Sequence, residues 1–211
     1  ELGVRFFFTV LQPLYLYILW RIIRPADADR RDAALFVVLS AATLMLQLYG
    51  FIAVPDGPLM MTTALFLLTF KWFSENRRCA WLWMGVAMAL MAYSKYHGAL
   101  VVLFALAAPP PLSGAVALLL LVPHFVWQYE HDWASLAYHL AGRNSVFRPN
   151  YVAEYLLNLL VVFNPFFVPL YVKAWIAVKP QNAVERALKF IPVAFIVFFL
   201  LSTFRGYVQP Q

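Results

Sequence analysis

Charge is scarce in this chain: Asp, Glu, Lys and Arg make up 12% of its 211 residues, against 64% apolar residues and a mean hydropathy of +0.73. An ordinary soluble domain carries about a quarter charged residues. A soluble domain is therefore excluded, and an integral membrane protein is indicated. Cysteine is nearly absent too. Cys79 stands alone, which excludes an internal disulfide framework and leaves the redox compartment open. The sequence has no Gly-rich phosphate loop, nucleophile elbow or zinc motif, and no internal repeat. A cytosolic nucleotide-sugar enzyme is not expected, so a transferase built on this sequence would take its donor from the membrane.

What is present is apolar and aromatic. Phe, Trp and Tyr reach 18%, as expected where Trp and Tyr line the membrane–water interface. Crossing a hydrocarbon core takes about 20 apolar residues, and candidate segments run over 4–23, 33–54, 58–74, 80–94, 98–108, 112–128, 151–172 and 187–204. The fourth and fifth are short and meet at Ser94-Lys95-Tyr96-His97-Gly98, a tilted helix followed by a re-entrant piece. The expected fold is all-α, a polytopic transmembrane bundle of seven to eight spans. With no methionine at Glu1 and Gln211 just beyond an apolar run, residues 1–211 read as a transmembrane domain fragment lacking a first span, a first outer loop and a C-terminal part.

The net charge of +6 suggests nucleic acid only until the charges are placed. If Glu1 lies outside and the chain crosses eight times, Arg5, Lys95, Arg143, Arg148 and Arg205 fall outside. The rest of the 16 Lys and Arg, among them Arg30, Arg31, Arg77 and Arg78, fall inside, which fits the positive-inside rule. No nucleic-acid partner is expected. Asp56, Glu130, His131 and Asp132 gather on the outer side in this topology. Asn182 and Glu185 form a capping-box-like start to the last helix. Trp133, Leu136, Ala137 and Leu140 have the spacing of an interfacial amphipathic helix ending near Gly142. Pro13, Pro165, Pro169 and Pro192 lie within spans, where kinks are tolerated.

Asp56 is the most informative residue. It opens a span in Val54-Pro55-Asp56-Gly57-Pro58-Leu59, and a carboxylate placed deep in a bilayer costs roughly 2.5–3.5 kcal/mol on insertion scales. One reading is a helix start, since Pro favours the first turn and a carboxylate suits the helix N-terminus. The other is a carboxylate facing an outer cavity to bind a sugar hydroxyl, an acceptor amine or a metal. Lys95 either snorkels to the head groups or binds a phosphate as a point charge. Tyr96 flanks it. His97 either assists or hydrogen-bonds in the interface. Arg143, Arg148 and Arg205, near Asn144, Asn150 and Tyr207, are candidates to hold a phosphate or diphosphate. Glu130-His131-Asp132 reads as a solvated loop rather than a metal site, because adjacent residues rarely converge on one ion. His124 reads as a packing residue. No cofactor is expected; a divalent metal has no support in the sequence.

Several of these motifs, in this order, carry a family resemblance. Val54-Pro55-Asp56-Gly57-Pro58-Leu59 opens a span, and Trp81-Leu82-Trp83-Met84-Gly85-Val86-Ala87 leads into Ser94-Lys95-Tyr96-His97-Gly98-Ala99-Leu100. Pro123-His124-Phe125-Val126-Trp127, the His131-Asp132-Trp133 loop and Arg205-Gly206-Tyr207-Val208-Gln209-Pro210-Gln211 follow, while Glu1-Leu2-Gly3-Val4-Arg5 is similar to the stretch where the first outer loop re-enters the membrane. The chain resembles the GT-C membrane glycosyltransferases, in the bacterial branch related to dolichyl-phosphate-mannose protein mannosyltransferases and lipid A aminoarabinose transferases. The resemblance implies a polyprenyl-phosphate-linked sugar donor, inverting transfer to a lipid, glycan or protein acceptor, and a site at the outer face of a bacterial inner membrane. It matches Asp56 to the second acidic motif and Lys95 to a position near the donor phosphate, and it places the principal catalytic carboxylate in the first outer loop, before Glu1. Gln209 and Gln211 stand where an acidic residue and a histidine are expected, which puts an acid–base or metal role for that loop in doubt. The fragment alone is expected to be inactive. A transporter or flippase, or a non-catalytic membrane subunit, is the competing class.

Overall fold

In a computed structural model, residues 2–50, 52–105, 110–135, 137 and 148–204 are described. They form ten helices and, among the described residues, no strand: α1 (Leu2–Ile23), α2 (Arg30–Ala42), α3 (Leu44–Leu48), α4 (Asp56–Ser74), α5 (Ala80–Ser94), α6 (Gly98–Ala105), α7 (Pro111–Glu130), α8 (Pro149–Phe163), α9 (Val168–Ala177) and α10 (Ala183–Ser202). The all-α expectation holds.

Local chemistry sets many of the boundaries. Asp29 caps α2 by accepting from the backbone N–H groups of Arg31 and Asp32, while the Asp32 carboxylate takes the N–H of Asp29. This reciprocal box satisfies donors that a helix start leaves open; it escaped the sequence analysis. The box expected at α10 is present in a shifted form. Asn182 accepts from the N–H of Glu185, and Glu185 reaches back to the N–H of Gln181 rather than that of Asn182. The run 33–54 is not one helix: it breaks at Thr43, and a turn follows α3. The run 151–172 bends by 84° between α8 and α9, at Asn164-Pro165, where Asn164 takes φ 59°. Of the expected amphipathic helix, residues 134, 135 and 137 are helical and Trp133 sits in a turn at φ 55°, while Leu136 and Leu140 lie outside the described residues.

The core runs through the middle of the bundle. Tyr15, Ile18 and Ile22 of α1 meet Phe66, Leu67 and Phe70 of α4, Met84 and Met91 of α5, and Val101 of α6. α5 packs between α4 and α7, α1 covers the far side of α4, and α10 packs on α6. Many large apolar side chains face outward, including Phe6, Leu119, Phe166 and Ile176. That is normal for helices whose surroundings are lipid, because tails are as apolar as the side chains.

Two described helices, Arg5–Ile23 and Pro111–Glu130, are long and apolar enough to cross a membrane, and the bent α8–α9 pair would make a third. The expected seven to eight spans are not reached by this measure. α5 has 15 residues, about 22 Å at 1.5 Å per residue against a core of about 30 Å. α10 carries Glu185, Arg186 and Lys189 near its start.

The α5–α7 contact depends on a missing side chain. A Cβ on Gly85 would lie 2.6 Å from the Ser113 carbonyl oxygen and 2.7 Å from Val116 Cβ. Membrane helices lacking a hydrophobic drive to associate gain from such close backbone approach. Gly85→Ala should therefore destabilise the protein in detergent by about 1–3 kcal/mol, despite alanine's better helix propensity. Gly114→Ala, with nothing within 4 Å of its Cβ, should be neutral or stabilising. Equal denaturation midpoints for the two variants would contradict this packing.

Candidate functional site

Asp56 and Lys95 meet. Asp56 is the first residue of α4 and Lys95 is the extended residue that ends α5. The Lys95 Nζ lies 2.9 Å from Asp56 Oδ1, and their side chains are 20% and 16% exposed. Each charge also sits at the helix end that favours it, the carboxylate at an N-terminus and the ammonium at a C-terminus. Removed from most of the solvent, neither charge is well accommodated alone.

The break after α5 aims this pair. The backbone of Lys95 is extended at φ −166°, ψ 140°, and the chain turns through Tyr96 and His97 before α6 starts at Gly98. A Cβ on Gly98 would lie 2.9 Å from Met91 Cβ and 3.0 Å from its carbonyl oxygen, so the turn folds tightly back on α5. Tyr49, in the turn after α3 and outside the helices long and apolar enough to cross a membrane, borders Asp56. Burial first, and then the negative charge of Asp56, raise the pKa of its phenol. It stays protonated and remains a hydrogen-bond donor.

Beside the pair lies a polar and aromatic cluster. Gln128 Nε2 donates to the Tyr96 hydroxyl, which also hydrogen-bonds with His124 Nε2 at 3.0 Å. Gln128 is 3% exposed, and its Oε1 has no hydrogen-bond partner among the described residues. The His124 ring lies 5.8 Å from that of Tyr93, whose hydroxyl donates to the Leu120 carbonyl at 2.9 Å. His124 thus packs against Tyr93 and hydrogen-bonds Tyr96, and Gln128 was missed altogether. Their spacing was the available signal: two polar residues four apart share one face of an otherwise apolar helix.

The other candidates are placed less centrally. The His97 ring lies 5.5 Å from Phe199 of α10. Arg148 is exposed as the N-cap residue of α8, with no side-chain cap bond. Arg143, Arg205 and Tyr207 lie outside the described residues. His131 stacks on Trp127 at 4.3 Å and donates from Nδ1 to the Trp127 carbonyl at 2.8 Å, while Asp132 turns the chain at φ 52°. Among the described residues no three His, Cys, Asp or Glu side chains gather as a metal ion would require.

A double-mutant cycle tests the ion pair. Lys95→Met and Asp56→Asn should each destabilise the protein, and the double variant should cost less than the sum. A coupling of about 1–3 kcal/mol is expected for a contact this shielded; additivity within 0.3 kcal/mol, roughly the experimental floor, would show that the two charges do not support each other.

Residues 1–127 match the sequence model of a family described as dolichyl-phosphate-mannose-protein mannosyltransferase, a stretch that holds Asp56, Lys95, Tyr96, His97 and His124. No curated protein matches the chain, and no solved structure does.

Proposed function

The chain belongs to the dolichyl-phosphate-mannose-protein mannosyltransferase family, membrane glycosyltransferases of the GT-C type, and on that premise we propose that it transfers a sugar from a polyprenyl-phosphate donor to a lipid, glycan or protein acceptor. The observation that carries this reading is the Asp56–Lys95 contact at 2.9 Å, only about a fifth exposed at one end of the bundle. An ammonium is a compact charge with three donors. Asp56 takes one of them and holds the ammonium in place at the end of α5, so that a donor phosphate approaching from the bilayer meets a positioned cation. As the glycosidic bond to phosphate breaks, negative charge grows on the departing polyprenyl phosphate, and a cation already in place stabilises it without reorganisation.

Asp56 is accordingly assigned to positioning Lys95 and the donor, and Tyr96 to the edge of the sugar site, held by Gln128 and His124. Arg148, Arg143, Arg205 and Tyr207 are proposed as further phosphate or sugar contacts, and His97 as a support for the turn. Deprotonation of the acceptor hydroxyl is assigned to a carboxylate of the family's first outer loop, as the resemblance implies.

Charge distribution supports an orientation. The ends of α1 and α4 and the starts of α2 and α10 bring Arg21, Arg24, Arg30, Arg31, Lys71, Arg186 and Lys189 to the end of the bundle away from Asp56. By the positive-inside rule that end is cytoplasmic. The Asp56–Lys95 pair then faces outward, in a bacterial inner membrane toward the periplasm.

Transfer in liposomes tests the assignment. With labelled polyprenyl-phosphate sugars and a crude lipid and glycan acceptor pool, the complete protein, with the outer loop that supplies the base present, should form product. Lys95→Ala should lower turnover by roughly 100-fold or more, the size of effect known for a single charge-stabilising donor. Asp56→Asn should act mainly on donor KM. Unchanged turnover and donor affinity in Lys95→Ala would remove the residue from the site.

A further inference from the structure

α4 carries Asp56 near one end and Lys71 near the other, about 22 Å apart along the axis at 1.5 Å per residue. At the Lys71 end, a cleft of about 850 Å³ opens between the C-terminal ends of α1, α4 and α9 and the start of α10. Three cations line it, Arg24, Lys71 and Lys189, with two carboxylates, Glu75 and Glu185.

The carboxylates are already engaged. Glu75 Oε2 accepts from Arg77 Nε at 2.7 Å, and Glu185 accepts from the Gln181 N–H at 2.7 Å and from Asn182 Nδ2 at 2.8 Å. The cations are held rather than neutralised. Lys71 Nζ donates to the Ile22 carbonyl at 2.9 Å, and Lys189 Nζ donates to the Val178 carbonyl at 2.6 Å while lying 4.9 Å from the centre of the Trp175 ring. Arg24 is exposed. The cleft therefore presents an excess of positive charge. Its walls are apolar at Ile23 and Val178, which are themselves half exposed at 47% and 50%, and Trp175 stands at the rim with its indole N–H on the Lys189 carbonyl at 3.2 Å. A Trp placed so is characteristic of the membrane–water boundary.

We propose that this cleft binds the head group of an anionic phospholipid from the leaflet opposite the Asp56–Lys95 pair. Its phosphate rests against Arg24, Lys71 and Lys189, and an acyl chain follows Ile23 and Val178 into the bilayer. The apolar wall, continuous with the lipid-facing side of α1, selects a lipid over a soluble phosphate. Basic pockets between membrane helices on the cytoplasmic side are suited to such head groups.

The test uses the full chain in nanodiscs of phosphatidylcholine doped with phosphatidylglycerol, with retained lipid read by native mass spectrometry. The wild type should retain phosphatidylglycerol over phosphatidylcholine. Arg24→Gln/Lys189→Gln should lower that preference by roughly thirty-fold, at the usual strength of a basic residue near an anionic surface. Arg78→Gln, exposed at the same end but outside the cleft, should leave it unchanged. If the double variant does not fold, Arg24→Gln alone should reduce the preference by about five-fold. No preference in the wild type, a preference that survives in the folded cleft variants, or an equal loss in Arg78→Gln would each overturn the proposal. Displacement of the lipid by glycerol phosphate would overturn it as well, in favour of a soluble anion.

Discussion

Two opposite charges in contact at a membrane boundary fix where the start of α4 sits against the end of α5. A carboxylate or an ammonium near the hydrocarbon is expensive alone and much less so in a pair with good geometry. The Lys95–Asp56 contact at 2.9 Å therefore ties the start of α4 to the end of α5, and α4 and α5 are neighbours in the bundle. The short α6 begins only after the chain has turned at this pair, folded back against Met91 at Gly98. A continuous helix from α5 into α6 would carry Lys95 in helical backbone rather than in the extended conformation that it adopts.

The same constraint divides the molecule into two unlike ends. At one end, few charges are spent on a single shielded pair and a hydrogen-bonded triad of Tyr96, His124 and Gln128. At the other, cations cap helix C-termini, Lys71 on the Ile22 carbonyl and Lys189 on that of Val178, where the orphan carbonyls need donors. The first arrangement suits chemistry on a charged group delivered within the membrane. The second suits anchoring at a charged surface. Family membership and the geometry of the first end point in the same direction, since a lipid-linked sugar phosphate needs a positioned cation where no soluble phosphate loop exists.

Much of this was legible in the sequence. Scarce charge and long apolar runs pointed to the all-α membrane class, and α1, α4, α5, α6, α7 and α10 fall on six of the eight segments read from hydropathy. Asp56 and Lys95 stood out as isolated charges between apolar runs. Their pairing did not, because nothing local brings together residues 39 positions apart; the α4–α5 packing does that. The break at Thr43 was hidden for a similar reason. Residues 33–54 carry no charge, and hydropathy does not register a lost helical hydrogen bond. Gln128 was overlooked because its four-residue spacing from His124, though legible, names no partner across the bundle. It gains meaning only with Tyr96, from another element, in reach.

The central claim is that Lys95, held by Asp56, binds the phosphate of a lipid-linked donor. The most direct measurement is the affinity of purified wild-type and Lys95→Met protein for a polyprenyl phosphate bearing no sugar, in detergent at fixed salt. The account predicts a loss of at least ten-fold in Lys95→Met, within the range for a charge-assisted hydrogen bond to an ion. Equal affinity in the folded variant would contradict it and leave the ion pair with a structural role alone.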